Sequence, residues 1–377
     1  MLFILFLLVL LFLNFLPIKR NHIIFVVLYL GFTILLSLRY GQGTDYFNYL
    51  RIYNAFPKDY NNFWVKSYSF GVEPFFYLIN IFAKKNDYSF QFVIALCSML
   101  TMFFNFISIK KFSKSFGLSM FILYANYIVY LHTAIRQGIA ISISTYAILS
   151  FLKSKKYLKF LFIILFAMMF HTSAFICLFL PLILIVSKIL NINSLRNYIF
   201  VISLCLITGI FLFPILIKVA SLILPRYSSY VNSKITHVPF FPILIRIVLS
   251  ILAIITYKNN EYNSSFLEKD ILSLYLFGSM IYCLLCSSNQ ASRLTDYFTY
   301  LEIFYFANVI SVRGIKMKGL SILSICFIFS SLFIKDIGEF ENQGDYYSNN
   351  PLNYPYISIF NKDSIKEYRG DLGAYIF

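Results

Sequence analysis

Charge is scarce in this chain: Asp, Glu, Lys and Arg make up 13% of its 377 residues, against 59% hydrophobic residues and a mean hydropathy of +0.75. A soluble multi-domain protein carries far more charge and a disordered chain far less apolar side chain, so both classes are excluded. Glycine is sparse too, at 14 beside 44 Phe and 30 Tyr. The apolar runs are charge-free at helical length instead of alternating, which excludes an outer-membrane barrel. Six cysteines, Cys97, Cys177, Cys205, Cys283, Cys286 and Cys326, all sit inside apolar runs, where neither a disulfide framework nor a zinc site has a setting. Also absent are G-x-x-x-x-G-K-[ST], H-E-x-x-H and G-x-S-x-G, so an ATP-driven pump, a zinc protease and a serine hydrolase lack support. No internal repeat stands out, which weighs against the common transporter folds.

What remains is an all-α polytopic membrane helical bundle, expected as a single integral membrane domain over residues 1–377. A crossing needs about 20 mostly apolar residues. About twelve candidate spans follow, roughly 1–17, 22–38, 88–109, 117–132, 134–152, 157–170, 172–187, 197–217, 240–257, 270–286, 294–311 and 317–334. The first has no basic leader and no small-residue cleavage site, so it reads as a retained helix. The formal charge of +16 serves topology and lipid contact before nucleic acid. Every second short connector is basic: Lys19-Arg20, Lys110 to Lys114, Lys153 to Lys156, Lys188 to Arg196, 258–269 and Arg313 to Lys318. The positive-inside rule makes those loops cytoplasmic. Both termini, the 39–87 segment, the 218–239 loop and the 335–377 tail are then extracytoplasmic. Within 39–87 the apolar stretch 73–83 is too short for a span and is expected as an interfacial helix.

Two stretches flanked by lysines carry a polar group in the middle, 114–153 around Arg136 and 159–188 around His171, and both read as hairpins with outward tips. Roughly 28 residues between Lys159 and Lys188 give about 42 Å of helix, short of two crossings, so His171 is expected below the outer surface. One long tilted helix over 160–187 is the alternative.

On this topology the unusual polar residues share one side. RYGQGTDYFNYL (39–50) supplies Arg39, two glycines, Asp45 and Tyr46. Gly41 and Gly43 permit a tight turn, and Asp45 can accept hydrogen bonds from sugar hydroxyls; an ordinary span exit with a snorkelling arginine is the plainer reading. HTAIRQGIA (132–140) puts Arg136 and Gln137 at a hairpin tip, where a guanidinium fork suits phosphate or a lipid headgroup. His171 is a candidate proton acceptor, or a packed, hydrogen-bonded histidine. SRLTDYFTYLE (292–302) places Arg293 and Asp296 at i, i+3, expected to pair, with Tyr297 next to them. Arg39, Arg136, Arg226, Arg246 and Arg293 together form a candidate set of ligands for a lipid pyrophosphate.

R-x-G-x-G-T-D-Y-x-x-Y from Arg39 to Tyr49, IRQGIA at 135–140, FHTSA at 170–174, RLTDYF at 293–298 and NYPYISIF at 353–360, in that order, resemble the EpsG family of Wzy-like polysaccharide polymerases. The resemblance implies a glycosyltransferase of the bacterial inner membrane. It would join undecaprenyl-pyrophosphate-linked repeat units into capsule, O-antigen or exopolysaccharide on the outer leaflet. The implied partners are that glycan carrier, membrane lipids, a flippase and a chain-length regulator; no cofactor, metal or nucleotide is implied. His171 and Asp45 are the candidate catalytic residues, with Arg39, Arg136, Gln137, Arg226, Arg246, Arg293, Tyr46 and Tyr297 candidates for binding substrate. A lipid-linked oligosaccharide flippase, or a membrane acyltransferase acting on the glycan, is the alternative of another class.

The alternating connectors give the first test. In a cysteine-free background, a cysteine replacing Asn62 is expected to react with an impermeant thiol reagent in intact cells, and one replacing Ser154 to be protected. The opposite pattern inverts the topology.

Overall fold

The computed structural model describes residues 2–14, 22–43, 45–61, 63–212, 215, 240–259, 266–287, 291–311, 315–343 and 356–364. Arg226 and the whole of the expected 218–239 loop lie outside the described residues. Along the chain run α1 (Leu2–Leu13), α2 (His22–Ser37), α3 (Tyr46–Ala55), α4 (Phe63–Ser69), α5 (Pro74–Lys85), α6 (Phe90–Phe112), α7 (Phe116–Thr133), α8 (Ile135–Ser154) and α9 (Tyr157–Met168). A 3-10 segment (Thr172–Phe179) leads into α10 (Leu180–Ile189), followed by α11 (Leu195–Phe211), α12 (Phe240–Lys258), α13 (Phe266–Leu284), α14 (Ala291–Thr299), α15 (Glu302–Ser311) and α16 (Ile315–Gln343). Among the described residues there is no strand, only an isolated antiparallel bridge between Arg39 and Ser358.

Five helical segments among these residues are long and apolar enough to cross a membrane, 90–112, 135–154, 172–189, 240–258 and 318–337; 2–13, 23–37, 157–168 and 195–211 are apolar but shorter. Among the described residues the fold is all-helical, as expected, and the count of about twelve spans is not confirmed. The expected span 294–311 divides for a visible reason. Leu301 N–H bonds to Phe298 O at 3.1 Å and Phe304 N–H to Leu301 O at 3.0 Å, and such i to i−3 bonds tighten one turn and separate α14 from α15. The stretch 73–83 becomes α5, whose 12 residues start with Pro74 and bury Phe76, Tyr77, Asn80, Ile81 and Ala83. At about 18 Å it is too short to cross. The last helix runs on to Gln343, past the expected end at 334.

The helices gather into two compact units. Unit 1 comprises Met1–Tyr146, Leu165–Thr172 and Gly314–Phe377; unit 2 comprises Ala147–Ile164 and Ser173–Arg313. Within unit 1, α6 packs on α2, and α7 on α1 and α16. Its two ends differ in chemistry. At one, Lys110 Nζ lies 5.6 Å from the Phe25 ring centroid, and Phe25 meets Phe116. At the other, Phe3 meets His132 and Tyr356, the Tyr356 hydroxyl donates to Leu35 O at 2.7 Å, and Tyr40 N–H donates to Ile357 O at 2.9 Å. The polar motifs of unit 1 therefore cluster away from its lysine connector.

Unit 2 is built around α13, which contacts α10, α11, α12, α14 and α15. Lys155 Nζ pairs with Asp270 at 3.2 Å, and Asn193 Nδ2 donates to Ser273 Oγ at 3.0 Å. Both ends of the intervening stretch thus reach the first turns of α13, so 157–189 is a hairpin and not one long helix. The 3-10 form of its return arm rises about 2.0 Å per residue against 1.5 Å in an α-helix, which lengthens that arm. At the far end of α13, Ser287 Oγ donates to Gly209 O at 2.8 Å. A Cβ on Gly209 would fall on the carbonyl oxygens of Cys283 and Leu284, so α11 and α13 touch backbone to backbone there.

That contact is testable. Gly209→Ala should force the two helices apart and cost roughly 1–3 kcal/mol, read as a lower thermal midpoint in detergent. Gly319→Ala, where an added Cβ meets nothing within 4 Å, should not lower it.

Candidate functional site

The glycine loop of unit 1 takes its shape from two left-handed residues, Gly41 at φ +65° and Gly43 at φ +101°. A Cβ on Gly43 would stand 2.6 Å from His132 O and 3.2 Å from Thr133 Cα, so the loop lies directly on the last turn of α7 and tolerates only glycine. Gln91 fastens it from α6. Its Nε2 donates to Ser37 O and, at 3.2 Å, to Arg39 O, while its Oε1 accepts the Tyr46 hydroxyl at 3.2 Å. Arg39 is 1% exposed and spends Nη1 on Leu36 O and on Ser98 Oγ at 3.4 Å. Burial pulls its pKa down to about 10, leaving it protonated near neutrality. Tyr46 is 2% exposed. Two residues expected to face a ligand, Arg39 and Tyr46, therefore turn inward and brace the loop, and Arg39 does not snorkel.

The loop delivers α3 to a corner where α7 breaks at Ala134 (φ −93°, ψ 66°) and α8 begins. Arg136, in the first turn of α8, lies over the rings of Tyr49 and Phe76, its guanidinium carbon 5.5 and 5.7 Å from their centroids. Its Nη1 is 2.6 Å from Glu73 Oε2 and 3.4 Å from Gly71 O, while Nε is buried with no hydrogen-bond partner. The other Glu73 oxygen accepts Thr172 N–H at 3.2 Å, and Phe75 N–H donates to Met169 O at 3.0 Å. These bonds pin the turn that presents His171, which is half-buried, as is Asp45 just before α3. Burial, aided by the Asp45 and Glu73 carboxylates and opposed by Arg136, raises the Tyr49 phenol and keeps it a neutral hydroxyl. Gln137, beside Arg136, is buried. Glu73 holds the corner together, although in the sequence it only marks the edge of a short apolar stretch. Its one local signal is an acid directly ahead of a proline that opens a helix.

Unit 2 has a separate ionic cluster. The i, i+3 spacing predicts an Arg293–Asp296 pair; instead Asp296, buried on α14, faces Arg246 of α12, Nη2 to Oδ1 3.8 Å, and Arg293 is exposed. Arg246 also stacks 4.2 Å over the Tyr282 ring of α13. Its charge joins three helices and is already matched by a carboxylate. Tyr297 is fully buried, with its hydroxyl 3.0 Å from Ser173 Oγ, so the RLTDYF and FHTSA motifs meet through a packing hydrogen bond. Asp45, Arg136 and His171 belong to unit 1, Arg246, Arg293 and Tyr297 to unit 2. No group of three or more metal-ligating side chains occurs among the described residues.

Compared with known proteins, the chain matches the EpsG family over residues 22–353. It belongs to that family. Membership points to a membrane protein of the glycan-polymerase kind. No curated protein and no solved structure matches it. The family match takes in the Gly41 loop, the Arg136 corner, the His171 turn and the Asp296 helix, and stops before the segment Tyr356–Phe360 that packs on the glycine loop's entry.

In this EpsG-family chain the ionic cluster of unit 2 should behave as a structural clamp. Arg246→Met leaves the buried Asp296 without its cation and is expected to cost about 3–5 kcal/mol. The double variant Arg246→Met/Asp296→Leu should recover most of that in thermal midpoint. A single variant as stable as wild type would refute the clamp.

Proposed function

We propose that this EpsG-family protein is an integral membrane glycosyltransferase joining undecaprenyl-pyrophosphate-linked repeat units into a capsule, O-antigen or exopolysaccharide on the outer leaflet of the bacterial cell membrane. The observation that carries this reading is Arg136: a planar cation lying against two aromatic rings that also touch each other, pinned by Glu73 and set beside the His171 turn. Such a fork suits a diphosphate oxygen pair better than a mobile lysine does.

In the proposed reaction a hydroxyl of the acceptor sugar attacks the anomeric carbon of the donor. The new glycosidic C–O bond forms as the bond to undecaprenyl pyrophosphate breaks and its electron pair leaves with the pyrophosphate oxygen. Arg136 stabilises the charge that develops there, and His171 or Asp45 accepts the hydroxyl proton. The glycosyl pyrophosphate bond supplies the driving energy, so neither a metal nor a nucleotide is needed. Arg293, exposed on unit 2, is a second candidate contact for an anionic ligand.

Deleting the gene, or replacing Arg136 or His171 with Ala, is expected to leave single repeat units on lipid or surface with no long polymer. Arg136→Lys should lose most activity despite keeping its charge, because a point charge replaces the fork. Sizing the surface glycan reads the outcome. Units trapped on the cytoplasmic leaflet would indicate a flippase, full-length polymer lacking a substituent an acyltransferase, and a normal ladder in the deletion strain would end the polymerase reading.

A further inference from the structure

Arg136 and His171 lie 35 residues apart in the chain. What they share is one carboxylate from a third element. Glu73 stands at the start of α5, which is anchored by the fully buried Phe76, Tyr77 and Ile81. Its side chain is 10% exposed, with Oε2 on Arg136 Nη1 and Oε1 on the Thr172 amide, the residue after His171. Without it the guanidinium would keep two neighbouring rings, the Tyr49 hydroxyl and the 3.4 Å contact to Gly71 O, and no carboxylate. Ring contacts of this kind hold a guanidinium by its charge and not by a particular N–H, so they alone do not decide which N–H edge points outward. A charge-assisted hydrogen bond on Nη1 does decide it. The same carboxylate sets how far the His171 turn stands from that edge.

We propose that Glu73 is a positioning residue for the reaction suggested above: it holds the Arg136 fork and the His171 turn in one fixed geometry, so that cation and proton acceptor address the same substrate. The inference rests on that functional reading and adds to it a residue that no motif supplied. Glu73 does not itself touch substrate. Its loss should weaken recognition of the pyrophosphate-bearing donor while leaving the helices packed.

The test uses full-length protein in proteoliposomes with a lipid-linked repeat unit as donor, and, separately, inorganic pyrophosphate as a thermal-shift probe on protein in detergent. Glu73→Gln keeps the shape but has one oxygen for two donors: with it on the Thr172 amide an NH2 faces Arg136, and with it on Arg136 the NH2 faces that amide. The variant should raise KM for the donor about tenfold and abolish the stabilisation by pyrophosphate that wild type shows, beyond any drop in thermal midpoint from leaving Arg136 without its carboxylate. Because Glu73 acts through Arg136, adding Glu73→Gln to Arg136→Lys should cost little more than Arg136→Lys alone. If Glu73→Gln does not fold, Glu73→Asp, one methylene shorter, carries the same expectation. Wild-type kinetics in both Glu73 variants, or full multiplication of the losses in the double variant, would overturn the proposal while leaving a polymerising wild type intact. A wild type that makes no polymer, yet binds pyrophosphate in a Glu73-dependent way, would sink the polymerase reading and leave the positioning role standing.

Discussion

A single shared carboxylate organises the candidate site. In a chain this apolar a buried charge persists only when its partners satisfy it, because the alternative is a desolvated ion. Glu73 meets that demand with both oxygens, one on a guanidinium and one on a backbone amide. The consequence is geometric. The start of α5, the start of α8 and the turn between α9 and the 3-10 segment are obliged to converge, although they are far apart in the chain. The Arg136 corner is therefore a product of charge pairing, with the aromatic rings of Tyr49 and Phe76 closing over a cation already in place.

Unit 2 obeys the same rule with different residues. Arg246 and Asp296 pair across two helices, Lys155 reaches Asp270, and Ser250 donates to Ser279 at 2.9 Å inside the helix stack. Apolar helices slide past one another at little cost, since one leucine face resembles the next. Polar contacts of fixed geometry remove that freedom and set the register. Gly209 contributes from the opposite direction: by having no side chain it lets α11 and α13 approach until their backbones touch.

The parts of this arrangement legible in the sequence are those encoded by composition and by local length. Lysine placement separated the polar motifs from the basic connectors, and in unit 1 Lys110 and the segment Leu38–Tyr40 do lie at opposite ends of the α2 and α6 helices. The distance between Lys159 and Lys188 was too short for two full crossings, and the stretch is a hairpin. What local spacing cannot encode is the choice of partner across helices. Arg293 and Asp296 share a spacing that favours pairing, yet Asp296 is buried toward Arg246, because a carboxylate removed from water takes the cation that tertiary packing offers. Arg39 and Tyr46 look like ligand contacts in a motif but are consumed in bracing it. The count of about twelve spans is not confirmed among the described residues, and part of the reason is local: continuous hydropathy does not reveal a tightened turn at 298–304.

The glycine loop shows why those bracing residues matter to chemistry. Gly43 can rest on the His132 carbonyl only in a left-handed conformation with no Cβ, and that contact fixes where α3 begins. Tyr49, one turn into α3, then falls over Arg136, and Asp45 stands at the helix entrance. Gln91, Arg39 and Tyr46 hold the loop from beneath, while Tyr40 N–H and Leu38 O bond to the segment around Ile357 from the other side. Every group around the guanidinium is thus positioned by folding before any ligand arrives. An arginine so constrained gives up little conformational freedom on meeting an anion, and its field is already oriented when charge develops on a leaving group. That is the physical difference between a cation that merely anchors a helix to headgroups and one held in place before a ligand arrives, and the Glu73–Arg136 geometry is of the second kind.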